Sequence, residues 1–168
     1  MLFSYRKSKC INGCVLFNDE RNYSYWESKK ETQDEIEILS LLNASKYSES
    51  LGKILHIGIG NSFIAKNLNN FSKIDGISIS SKEILKAQES NIIGYNSCFL
   101  NKYNKDAFKK FTNASYDLII DTNLKSFCCC ESAFDHLIAQ YESLLNTNGI
   151  IVTNLRGMKW SRIVIPII

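Results

Sequence analysis

Ile54-Leu55-His56-Ile57-Gly58-Ile59-Gly60-Asn61-Ser62 is the stretch whose reading decides the fold. A short apolar run of strand character ends in two alternating glycines where the chain must turn into a helix. The first glycine permits a tight turn and the second a close backbone approach, while the helix that follows offers unpaired amides. That combination predicts ligand binding at the carboxyl end of a strand.

The residues downstream extend the pattern. Lys73-Ile74-Asp75-Gly76-Ile77-Ser78-Ile79-Ser80 reads as a second strand, and Ser81 to about Ser90 as a second helix. Ser80 and Glu83 have the spacing of a capping box, in which each side chain satisfies an amide of the other residue. A third strand is expected over Tyr95 to Leu100 and a short helix over Lys105 to Phe111. Tyr116-Asp117-Leu118-Ile119-Ile120-Asp121 has the apolar centre of a buried strand. Ser132 to Leu145 forms an amphipathic helix with Ala133, Leu137, Tyr141 and Leu144 on one side. Asn148-Gly149 is read as the turn into a fifth strand, Ile150 to Thr153, and Arg162 to Ile167 as a final edge strand. Strands alternating with helices imply parallel crossovers in an α/β sheet.

Upstream, residues 1 to 50 are expected to be an irregular lead-in followed by a covering helix from Glu31 to about Tyr47. In that helix Ile36, Leu39 and Leu42 mark one face, widened by Ile38 and Leu41. Residues 51 to 168 would form the core of a single compact domain. A chain of 168 residues with 45% apolar composition and one proline can bury a full core.

The net charge of +3, with 20 basic residues dispersed among 17 acidic ones, permits nucleic-acid binding without indicating it. No apolar run approaches the roughly 20 residues needed to span a bilayer, and the N-terminus lacks a signal peptide's apolar centre, so a cytoplasmic location is expected. Of the six cysteines, Cys10 and Cys14 are four apart and Cys128-Cys129-Cys130 are contiguous. Neither spacing is that of a zinc knuckle, so no metal site is expected and the thiols read as small buried hydrophobes.

Taken in order, the motifs resemble those of class I S-adenosylmethionine-dependent methyltransferases over about residues 50 to 154. Leu55 to Ser62 resembles the family's first motif, Gly76 to Ala87 its second strand and following helix, Tyr116 to Asp121 its fourth strand, and Leu144 to Val152 its entry to strand five. The resemblance implies a Rossmann-like three-layer α/β/α sandwich with a mostly parallel central sheet, truncated after strand five. It also implies S-adenosylmethionine as cofactor and a small molecule as methyl acceptor. Carried over, Gly58, Gly60 and Asn61 would line the cofactor, with Ser78, Ile79 and Asn101 completing its pocket.

The chain departs from the family pattern in informative places. Ser78 stands where the family places the acid that holds the ribose hydroxyls, and Asn101 where it commonly has a carboxylate near the adenine. His56 replaces the usual acid of the first motif, and Ser62 its third glycine. Asp121 and His56 are the candidate acid-base residues, and Asn123, Arg156 and Trp160 the candidate substrate contacts. Two alternatives stay open: another enzyme class on the same scaffold with a refitted ligand site, or a noncatalytic methyltransferase-like subunit. An exposed sheet edge after strand five would suit a homo-oligomer.

Overall fold

The computed structural model describes residues 24–27, 29–44, 51–104, 106–111, 115–128 and 130–159. The chain runs α1 (Ser24–Glu27), α2 (Gln33–Ala44), β1 (Gly52–Ile57), α3 (Phe63–Asn67), β2 (Phe71–Ser78), α4 (Ser81–Glu89) and β3 (Tyr95–Phe99). A short 3₁₀ helix (Ala107–Phe111), β4 (Tyr116–Asp121), α5 (Glu131–Leu144) and β5 (Leu145–Val152) follow. The five strands form one sheet in the order β3-β2-β1-β4-β5, and every pairing is parallel. The expected three-layer α/β/α sandwich is therefore present. Trp160 and the anticipated edge strand from Arg162 lie outside the described residues, as do Cys10, Cys14 and Cys129.

Both faces of the sheet are covered, which is why its central strands read as nearly continuous apolar runs. On one face Leu55, Ile57, Ile77 and Ile119 pack with Phe108, Leu137, Tyr141 and Leu144. On the other, Ile54, Ile74, Leu118 and Ile120 pack with Ile38, Leu42 and Ile64. The chain leaves β1 toward β2 on one side and later returns to β4 on the other. In parallel α/β sheets such a reversal marks where ligands bind, which here falls at the carboxyl ends of β1 and β4.

Two readings needed correction. In α2 the buried residues are Glu35, Ile38 and Leu42, while Ile36 and Leu41 are exposed. The inward face is set by the start of the helix: Thr32 Oγ1 accepts from the Glu35 amide (3.2 Å), and Glu35 Oε2 accepts from the Thr32 amide (2.7 Å). This reciprocal box turns Glu35 inward, and Ile38 and Leu42 follow at helical spacing.

The second correction concerns Asn148-Gly149, which lies within β5 rather than before it. Tyr116 pairs with Leu145 and Leu118 with Ile150, so the intervening residues of β5 bulge out of register. Asn146 organises the bulge by donating to Asp117 and accepting from the Asn148 amide (3.1 Å). Turn-forming side chains here stabilise a bulge inside a strand.

Among the described residues no helix is long and apolar enough to cross a membrane, and no cluster of three or more His, Cys, Asp or Glu could hold a metal ion. Cys128 and Cys130 are buried.

Candidate functional site

The glycine turn leaves β1 at Ile57 with three positive φ angles at alternate positions: Gly58 (72°), Gly60 (51°) and Ser62 (59°). Ser62 adopts the left-handed conformation that a glycine would reach more easily, and its side chain does not cap α3. Its hydroxyl lies 3.0 Å from the Tyr95 hydroxyl instead. The amide of Gly58 donates to Ile77 O at 2.8 Å, fixing the turn against the end of β2.

At that end Ser78 does not stand alone. Its hydroxyl donates to Glu83 Oε2 at 2.7 Å, and the Gly60 amide donates to the same oxygen at 3.1 Å. The Ser80 hydroxyl accepts from the Glu83 amide at 3.4 Å, so half of the expected capping box is formed. The other half is diverted: Ser78 Oγ takes the Ser80 amide (3.0 Å), which frees the Glu83 carboxylate to turn toward the glycines. A carboxylate thus reaches the end of β2 from the first turn of α4. Burial pushes the Glu83 carboxyl above its usual range, opposed by hydrogen bonds from Ser78, Gly60 and Trp26.

Trp26, in α1, covers this arrangement. A Cβ placed on Gly60 would lie 2.6 Å from the indole ring, so only glycine permits the ring to sit there. The indole N–H is the only side-chain donor Trp26 has, and it bonds to Glu83. The Asn61 side-chain amide donates to the carbonyls of Trp26 (3.0 Å) and Lys29. Gly58 is different: it is exposed, and none of the described residues lies within 4 Å of where its Cβ would be.

Asp121, at the end of β4, is 1% exposed and heavily bonded. Its Oδ2 accepts from Lys102 Nζ (2.6 Å) and the Tyr141 hydroxyl (2.8 Å), while Oδ1 accepts from the Asn123 amide (3.0 Å). Lys102 Nζ also donates to Asn123 O (2.9 Å), so a buried ion pair fixes the loop after β4 to the segment after β3. Burial, then the charge of Asp121, hold the Tyr141 hydroxyl well above its usual range. Asn101 is buried, and its Oδ1 accepts from the Tyr103 amide (3.0 Å). Ile79 is half-buried between Ser78 and Ser80.

His56 is completely buried, and among the described residues neither ring nitrogen has a hydrogen-bond partner. Burial pulls its pKa down from 6.5 to about 4, against the opposing charge of Asp121. Arg156 stands apart, paired with Asp34 and with Glu37 (2.9 Å) on α2. Together with Lys29, Thr32 and Asp34 it lines an open hollow of ≈ 700 Å³.

The turn therefore brings together Gly58, Gly60, Asn61 and Ser78, whereas His56 is buried within β1 and Arg156 is paired with α2. Sequence reasoning missed Glu83 as a site residue, and with it Trp26 and Lys102. The position of Glu83 in a capping box was the one available signal, and it pointed to helix structure.

No family model matches the chain, and no curated protein matches it. Solved structures do. N-methyltransferase NodS from Bradyrhizobium japonicum WM9, in complex with S-adenosyl-L-homocysteine, aligns with a TM-score of 0.59 at 17% identity, over 78% of this chain and 71% of that one. A SAM-dependent methyltransferase from Leishmania major aligns at 0.58 and 15% identity, over 78% and 58%. The chain shares its fold with these two structures. The [4+2]-cyclase SpnF is also similar, with a TM-score of 0.53 and 15% identity, over 70% of this chain and 43% of that one.

Proposed function

We propose that the protein is an S-adenosylmethionine-dependent methyltransferase acting on a small molecule, and that Glu83 supplies the acid missing at Ser78. The observation that carries this reading is the convergence of the Gly60 amide and the Ser78 hydroxyl on Glu83 Oε2. It restores a carboxylate to the end of β2, beside a glycine turn whose Gly58 face is open. A ribose diol donates two hydroxyl hydrogens, and a carboxylate is the side chain best suited to accept both.

Bound there, the cofactor would supply a methyl group already activated on a sulfonium. The chain's own task is then to hold and orient. Gly58, Gly60 and Asn61 would border the cofactor's amino-acid portion, with Ile79 and Asn101 flanking its base. Asp121 acts in this reading as a positioning residue, because its oxygens already accept from Lys102, Tyr141 and Asn123. Asn123, Arg156 and Trp160 remain our proposed substrate contacts, Arg156 through the hollow at the rim of α2.

With Asp121 so engaged and His56 sealed from solvent, neither is placed to take a proton from an acceptor. That favours an acceptor already nucleophilic without deprotonation by these two residues. The same observation favours, as a second reading, another enzyme class on the same scaffold; the printed name of SpnF as a [4+2]-cyclase makes this concrete for a similar fold.

Calorimetry with S-adenosylmethionine and S-adenosylhomocysteine tests the assignment. We expect micromolar binding, weakened by about tenfold or more in Glu83→Gln, since hydrogen bonds to a charged group contribute about 1.5 to 3 kcal/mol. Absence of binding at millimolar ligand would reject the cofactor, and unchanged affinity in the variant would reject the role of Glu83.

A further inference from the structure

The bonds around Glu83 describe a site whose acceptor is already taken by the chain itself. Three donors meet this carboxylate: the Gly60 amide, the Ser78 hydroxyl and the Trp26 indole N–H. The first two come from the turn and the strand end that build the site. The third comes from α1, which lies 34 residues earlier in the chain than Gly60 and packs its indole directly onto that glycine. Asn61, which follows Gly60, holds the same segment by donating to the backbone carbonyls of Trp26 and Lys29. Gly60, the polar side chain beside it and the carboxylate are thus covered or paired on the α1 side, while Gly58 is exposed.

We infer that Trp26 is an internal competitor for the ligand site: it closes over Gly60 and bonds Glu83, and it must lift before a ligand hydroxyl can reach that carboxylate. This rests on the assignment of Glu83 as the ribose acceptor, and it adds the regulation of that acceptor. The indole contributes one donor to Glu83, whereas a vicinal diol contributes two, so exchange favours the ligand once the segment has lifted. The attachment of α1 is local. Among the described residues it includes the indole on Gly60, its bond to Glu83 and the bond from Asn61 to the Trp26 carbonyl, and none of these belongs to the sheet core. Closed and open arrangements can therefore interconvert without disturbing the fold.

The apparent affinity of such a site is lowered by the fraction of molecules that are open. Removing the competitor should raise it. The bond between the indole and a charged carboxylate corresponds to about tenfold in affinity or more.

Two measurements on the full chain test the inference. In the first, amide hydrogen exchange of Gly60 is followed by NMR in the ligand-free protein and in Trp26→Ala and Trp26→Phe. Faster exchange at Gly60 in Trp26→Ala is expected, with the rest of the sheet unchanged; equal exchange would mean that Trp26 does not cover the turn and would overturn the inference. In the second, S-adenosylhomocysteine is titrated into the same three proteins. Tighter binding in Trp26→Ala, by about tenfold, and an increase in Trp26→Phe, which keeps a ring and loses the N–H, are expected. Weaker binding in both variants would make Trp26 a contact of the ligand and overturn the inference. If none of the three proteins binds S-adenosylhomocysteine, the methyltransferase assignment fails, and the exchange rate at Gly60 still decides whether Trp26 closes the turn.

Discussion

Replacing His56 by leucine should make the protein more resistant to mild acid, by an amount the structure allows to be worked out. His56 is fully buried in the central strand β1, its ring nitrogens have no partners among the described residues, and burial lowers its pKa from 6.5 to about 4. Between those values the unfolded chain binds a proton that the folded chain refuses. Stability from this group is therefore complete above pH 6.5 and is lost as the pH falls toward 4. At about 1.4 kcal/mol per pH unit, the loss reaches about 2 kcal/mol by pH 5. Leucine cannot titrate and presents no unpaired polar atom, so His56→Leu should match or exceed the wild type at pH 7 and gain about 2 kcal/mol on it by pH 5. Glu35 and Glu83, whose carboxyls are raised by burial, act in the opposite direction: their contribution is full below about pH 4.5 and declines as the pH rises through their folded values. They are common to both proteins and cancel in the difference. Urea unfolding of the two proteins at pH 7, 6 and 5, at constant ionic strength, measures it. A stability difference that stays constant across these pH values would refute the reasoning, because it would mean that folded His56 takes up a proton as readily as the unfolded chain.

The buried pair between Lys102 and Asp121 makes a second prediction: Lys102→Met should cost about 3 to 5 kcal/mol in urea unfolding at pH 7, since it leaves a carboxylate that is 1% exposed without its counter-charge. Much of that loss should return in the double variant with Asp121→Asn, and a single-variant loss below about 1 kcal/mol would contradict the account. In β2, Gly76→Ala should lower stability by about 1 to 3 kcal/mol, because the added Cβ would lie 2.8 Å from Ile59 Cγ2 and 2.9 Å from the Tyr95 ring. A thermal midpoint equal to that of the wild type would show that Tyr95 yields its place readily.

What the sequence disclosed and what it hid divide along physical lines. Strands β1 and β4 were legible because both of their faces are covered, Leu55 and Ile119 on one and Ile54 and Ile120 on the other, so their segments read as apolar runs that no surface could tolerate. The inward side of α5 was legible for a related reason: Ala133, Leu137, Tyr141 and Leu144 are all buried on one helical stripe. The face of α2 was misjudged because hydrophobicity ranks Ile36 above Glu35, whereas the Thr32 box turns the glutamate inward. The start of β5 was misjudged because asparagine and glycine signal a turn whether the chain reverses or merely bulges. At the site, the glycine turn and the absence of an acid at Ser78 were both visible. The carboxylate that stands in for it was not, since Glu83 reaches the end of β2 only because Ser78 displaces it from its own cap. Trp26 could not be tied to the glycine turn from the sequence, because its role comes from contact with residues far along the chain.

The contrast between the two glycines of the turn gives the molecule an internal gauge. Gly60 is hemmed in by its own polypeptide, so anything added there collides with Trp26 before it meets a guest. Gly58 is exposed and meets none of the described residues, so among them an alanine there would be burdened only through its left-handed backbone. Any further penalty that appears when a guest arrives belongs to the guest, which makes position 58 a place from which the nearness of an unseen molecule can be read from the outside.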